Sequence, residues 1–129
     1  MRQTLAALVA MVSLGVAAPA MAEDQYEQVY DELFAADAEN IEMPAMAEGP
    51  LGNVKGLDAI RAKSQTWSEG LEQVHDGSVG EPIVAGNWFA LPLTMDATFK
   101  GRGRMQMEEI CVYQVRDGKI VREQFFYDS

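Results

Sequence analysis

The chain has 129 residues, 48% of them hydrophobic and 23% charged, which suits one globular domain with a sizeable core. Its 20 acidic and 10 basic residues leave a net charge of −10, which makes nucleic acid and anionic membrane surfaces poor partners. A single cysteine, Cys111, excludes an internal disulfide, and no Cys/His cluster has metal-site spacing, so neither a metal nor another cofactor is expected.

Residues 1–22, "MRQTLAALVAMVSLGVAAPAMA", carry Arg2, an apolar run from Leu5 to Ala18, and Ala20-Met21-Ala22. That order reads as a secretory signal cut before Glu23, leaving a domain over 23–129 that is periplasmic or secreted. The apolar run is 14 residues, too short to favour a membrane span. The alternative is an Ala-rich first helix kept in a cytoplasmic domain.

After Asp24, a capping residue, Tyr26, Val29, Tyr30, Leu33 and Phe34 form one stripe of a helix. A short strand is expected around Ile41–Met43, followed by a Pro/Gly-punctuated loop. A second helix is predicted from Asp58 to about Glu69. There Leu57, Ile60, Trp67 and Leu71 fall within about 80° of one another, and Ser64 shares their face.

The rest reads as strand. Gln73–Ile83 is interrupted by glycines and Pro82, and then come Trp88–Phe99, Met105–Val115 and Ile120–Tyr127. Two helices followed by long antiparallel strands predict an α+β fold, with helices against one face of a curved sheet.

Asp117-Gly118 predicts a two-residue hairpin turn, which sets Val115 opposite Ile120 and Glu109 opposite Phe126. Gly101–Gly103 predicts a three-residue connection that sets Phe99 opposite Met105 and Met95 opposite Glu109. Alternation then puts Met95, Met107, Glu109, Cys111, Tyr113, Arg122, Gln124 and Phe126 on the core face. Cys111, between Ile110 and Val112, reads as an inert buried thiol. Pro92 cannot donate to a ladder and prefers an edge or a bulge, and a bulge there would flip part of its strand.

Glu109 is the only acid on that core face. A lone buried carboxylate costs several kcal/mol, so it needs a partner such as Arg122 or Lys63, a raised pKa, or a wet cavity. The opposite face is half apolar around Ile110, Val112, Val121, Phe125 and Tyr127, which predicts a homodimer through the sheet.

The segments "YDELFAADAENIE", "KGLDAIRAKSQTW", "WFALPLTMDATFK" and "MQMEEICVYQVRDGKIVREQFFY" resemble the SnoaL-like branch of the NTF2-like superfamily, over Tyr26 to Tyr127. The resemblance implies an NTF2-like cone: an α+β barrel whose highly curved antiparallel sheet encloses an apolar pocket, commonly dimeric through the sheet. It also implies a range of activities, from polyketide cyclases, ketosteroid isomerases and dehydratases to non-catalytic binding domains. The isomerases carry an aspartate base on the strand entering the "GKI" hairpin, and the match here is Cys111 or a neighbour.

The functional expectation is therefore a pocket for a small apolar molecule, with isomerase, cyclase or dehydratase chemistry by acid and base. Glu109 is the candidate proton carrier, and His75, the only histidine, is a second catalytic candidate. Tyr30, Trp67, Met95, Met107, Tyr113, Arg122 and Phe126 are the expected pocket residues, with Arg122 orienting an anionic or carbonyl group. Asp96 and Glu108 are expected to face each other outside as solvated acids, two oxygen donors being too few for calcium. The rival expectation is a non-catalytic ligand-binding or dimeric scaffolding module whose core polar groups satisfy one another.

Overall fold

The structure, a computed structural model, describes residues 30–128. The segment read as an export signal or first helix lies outside the described residues, as does most of the helix expected after Asp24. Residues 30–33 are helical, and Phe34 already opens a strand.

Seven strands make up the sheet: β1 Phe34–Ile41, β2 Val54–Lys55, β3 Leu71–Val79, β4 Ile83–Ala85, β5 Trp88–Phe99, β6 Gly103–Arg116 and β7 Lys119–Phe126. They pair in the order β2-β1-β7-β6-β5-β3, with β4 beside the start of β5. Every pairing is antiparallel except β1 with β7, which is parallel. The helix α1, Leu57–Glu69, packs on one face of this curved, unclosed sheet.

The helix starts after Gly56, whose φ of 96° only glycine holds without strain, and carries Asp58 in its first turn, where the dipole favours an acid. Its buried stripe is Ile60, Lys63 and Ser64, with Trp67 half-buried one turn on. A lysine therefore faces the sheet. Tyr30, Phe34, Ile60, Leu91, Tyr113 and Phe125 anchor the core, each at most 5% exposed. The Phe89 and Tyr113 rings stack at 4.7 Å.

The Asp117-Gly118 turn forms as expected, with positive φ at both residues and Arg116 opposite Lys119. A bulge follows: Val115 pairs Ile120, but Gln114 pairs Arg122, so Val121 is an extra residue in β7. Beyond it, side-chain parity is reversed from the sequence expectation. Glu123 and Phe125 turn inward and are buried, while Arg122, Gln124 and Phe126 turn outward.

The β5–β6 connection also differs. Phe99 pairs Gly103, so the loop is Lys100–Arg102 and the register moves by two residues. An even shift leaves every side chain on its expected face, and Glu109 stays on the core side, opposite Leu93.

No bulge forms at Pro92, which pairs Ile110 in unbroken register. Its carbonyl accepts from Gly80 N–H (2.9 Å), so its donor-less nitrogen points into the gap between the end of β3 and the start of β4. Gly80 is needed there, because a Cβ on it would sit 2.4 Å from the Pro92 ring carbon Cγ. Gly80→Ala should destabilise the protein by about 1–3 kcal/mol in urea titration. Gly77→Ala, whose Cβ meets only Thr94 O at 3.6 Å, should change stability by less than about 1 kcal/mol.

Candidate functional site

Between α1 and the inner face of the sheet lies a cavity of about 770 Å³. Its walls are largely apolar, including Tyr30, Ile60, Trp67, Phe99, Met107 and Phe125. Trp67 meets Phe99 edge-on at 5.9 Å, joining the helix to the end of β5.

The polar groups converge from three elements. The parallel β1–β7 pairing sets Asn40 beside Glu123, and both are buried. Asn40 Nδ2 donates to Glu123 Oε1 at 2.5 Å. From α1, Lys63 Nζ donates to Asn40 Oδ1 and, at 2.7 Å, to Glu42 Oε1. The second Glu42 oxygen accepts the Tyr127 hydroxyl at 2.7 Å. Lys63 also lies 5.8 Å from the Phe125 ring centroid. Each group in this chain has a stated partner, which is what a buried polar set requires.

Glu109 stands beside this chain but outside it. Among the described residues its hydrogen-bond partner is the Cys111 thiol at 3.5 Å, a weak donor. Burial is the main reason its carboxyl is pushed up from 4.5 to about 7; nearby Glu42 and Glu123 add to the shift, while Cys111 and Lys63 oppose it. At neutral pH it is thus a mixture of acid and base forms. Burial, and then the Glu109 charge, push the Cys111 thiol far up, so it is inert. Burial, followed by its bond to Glu42, also holds the Tyr127 hydroxyl in its neutral form.

Of the residues expected from sequence, Glu109, Tyr30, Trp67 and Met107 line this cavity. Met95 and Tyr113 are on the expected face but buried in the core, outside the cavity lining. Arg122 and Phe126 are displaced by the β7 bulge: Arg122 faces Glu39 at 3.5 Å, away from Glu109, and Phe126 is 41% exposed.

His75 is on the other side of the sheet from Glu109, its Nε2 at 2.6 Å from Thr98 Oγ1. Asp96 faces Gln106 rather than Glu108, which faces Thr94. The Arg104 fork binds both Asp96 oxygens at 2.9 and 2.8 Å and holds that carboxyl below its usual range. No group of three or more metal-ligating side chains occurs among the described residues.

Sequence reasoning missed Asn40, Glu42, Phe125 and Tyr127 as site residues. Phe125 and Tyr127 needed the bulge to be known, and Asn40 and Glu42 needed the parallel strand. Lys63 had a readable signal: it lies three residues after Ile60 and four before Trp67, on the buried stripe.

A curved, unclosed sheet cupping a cavity under a helix is the α+β cone of NTF2-like proteins. Within that class the chain belongs to the SnoaL-like domain family, whose pattern matches residues 17–127. A Mesorhizobium loti protein assigned to the SnoaL-like polyketide cyclases is 34% identical, with a TM-score of 0.70 over 92% of this chain and 98% of that one.

Two more distant structures share the fold. A Catenulispora acidiphila protein of ketosteroid isomerase-like fold, solved with trimethylamine, is 18% identical, with a TM-score of 0.67 over 92% of this chain and 85% of that one. TerC, co-crystallised with polyporic acid, is 20% identical, with a TM-score of 0.65 over 79% of this chain and 78% of that one. No curated protein matches the chain.

Proposed function

We propose that the chain binds a small, largely apolar molecule in the cavity and that Glu109 exchanges a proton with it. The observation that carries this reading is a poorly partnered carboxyl, raised to about 7, on the wall of a ligand-sized apolar cavity. Such a group matches the working pH and can both take and return a proton, which isomerisation, cyclisation and dehydration all need. Two structures of the same fold were solved with small molecules, polyporic acid and trimethylamine, which fits a small-molecule role for the fold.

The test is deuterium exchange at the α-carbon of 2-tetralone, an apolar enolisable ketone, followed by proton NMR. Wild type should accelerate exchange, with a rate rising through about pH 7 as the base form grows, and Glu109→Gln should lose at least about 100-fold. Exchange undiminished in Glu109→Gln would remove the proton-transfer role. Tetralone that quenches Trp67 without exchanging would favour the binding module, a reading supported by the closed Lys63–Glu42–Tyr127 and Asn40–Glu123 contacts.

The outer face of the sheet supports a homodimer. Ile110 (52% exposed) is flanked there by its cross-strand neighbours Pro92 and Phe126, an apolar strip on a face that β-structure can pair or pack. Ile110→Lys should shift the protein from dimer to monomer in analytical ultracentrifugation. A monomeric wild type, or a dimer untouched by the substitution, would contradict it.

A further inference from the structure

We propose that the cavity takes a ligand carrying a protonated amine, seated with its nitrogen against Glu109 and its apolar body against the aromatic walls. The inference starts from the balance of charge. Glu42 from the end of β1, Glu108 and Glu109 from β6, and Asp128 after β7 line the cavity, and buried Glu123 lies behind Asn40. Among the described residues the lining cations are Lys63 of α1 and Arg102 of the β5–β6 connection, and Arg102 is exposed. Glu108 and Asp128 are exposed as well, so among the described residues the less exposed charges are three acids, Glu42, Glu109 and Glu123, around one base, Lys63.

The cations are also not equally available. Lys63 is committed to Glu42 and Asn40 and is 9% exposed. Glu42 has Lys63 and Tyr127, Glu123 has the Asn40 amide, and Glu109 has the Cys111 thiol. A ligand ammonium would supply the charge-assisted donor that the ionised Glu109 lacks. A ligand carboxylate placed at Glu109 and Glu42 would meet two acids and a Lys63 already committed to Glu42 and Asn40, while Arg102 lies at the β5–β6 connection. That differs from the sequence expectation of an anionic or carbonyl group oriented by Arg122, which the structure sets beside Glu39.

The walls suit the same cation. Trp67, Phe99 and Tyr127 are aromatic members of the lining, and a desolvated positive charge is attracted to aromatic faces. Lys63 over Phe125 is an internal example of that contact.

Pairing with an ammonium would release to solvent the proton that Glu109 holds in part of the molecules near neutrality. Amine binding should therefore strengthen as pH rises through about 7 and level off above it.

This inference deepens the small-molecule reading: it needs the cavity but not proton transfer to carbon, so the two can fail separately. Calorimetric titration with phenylbutylamine, phenylbutanol and phenylbutyrate, which share one apolar body, tests it. At about pH 8 the amine should bind at least about tenfold tighter than the alcohol, with the carboxylate weakest. The amine should lose at least about tenfold by about pH 5.5, while the alcohol stays unchanged. Glu109→Gln should bring the amine down to the alcohol's affinity.

Equal affinities for amine and alcohol at the higher pH, a preference for the carboxylate, or an amine preference that survives Glu109→Gln would each overturn the proposal. Should that variant not fold, the pH dependence in wild type decides. Failure of all three probes to bind would overturn the cavity reading as well.

Discussion

Glu109→Gln is expected to make the protein more stable at about pH 8, by roughly 2–3 kcal/mol, while removing the proton exchange proposed for Glu109. The carboxyl titrates at about 7 in the fold against an ordinary 4.5. A group raised in this way is harmless below its unfolded value, where it is protonated in both states. Between 4.5 and about 7 the unfolded chain ionises freely while the folded one resists, so stability falls as pH rises, and the cost is complete above about 7. Glutamine keeps the shape and removes the charge. Urea titrations across this range should show wild type losing stability toward alkaline pH and the variant holding nearly level. Equal slopes for the two would mean that Glu109 carries no burial penalty. A gain in stability bought by a loss of activity is the signature of a group retained for function.

Lys63→Met is the change expected to cost most. It removes a buried cation whose ammonium binds Glu42 at 2.7 Å and also donates to Asn40, leaving an acid that is 13% exposed without its counter-charge. Breaking such a pair costs about 3–5 kcal/mol, most of it the uncompensated partner. Lys63 also holds the Glu109 carboxyl down, so the variant should titrate Glu109 still higher. Adding Glu42→Gln, which keeps an acceptor for the Tyr127 hydroxyl, should recover part of the loss. A double variant less stable than Lys63→Met alone would contradict the pairing.

The two hairpins show why some of this site was legible in the sequence and some was not. The inward place of Glu109 survived a two-residue error in the β5–β6 register, because side chains alternate with a period of two and an even slip keeps the face. A single extra residue, Val121, did the opposite in β7, putting Glu123 and Phe125 inside where Arg122, Gln124 and Phe126 were expected. No residue type at Val121 announces a bulge. The turn chemistry of Asp117-Gly118 was clear because few residue pairs accept positive φ twice.

The first strand was hidden for a different reason. Tyr30, Leu33 and Phe34 fit a helical stripe, and the following Ala35, Ala36, Asp37, Ala38, Glu39 and Asn40 have little intrinsic preference for strand. Pairing with β2 and β7 makes this segment a strand, and those partners are distant in sequence. The polar chain through Asn40 and Glu42 was invisible for the same reason. By contrast α1 was readable, because its apolar spacing and its glycine flanks agree with the structure.

The most direct measurement is a carbon NMR titration of Glu109, with glutamate labelled at the side-chain carboxyl and the resonance assigned by its loss in Glu109→Gln. A midpoint near 7 would be the result expected of a carboxyl desolvated by burial. A midpoint near the ordinary 4.5 would mean that water already solvates it, and Glu109 would then be an unremarkable acid with no special fitness for proton exchange.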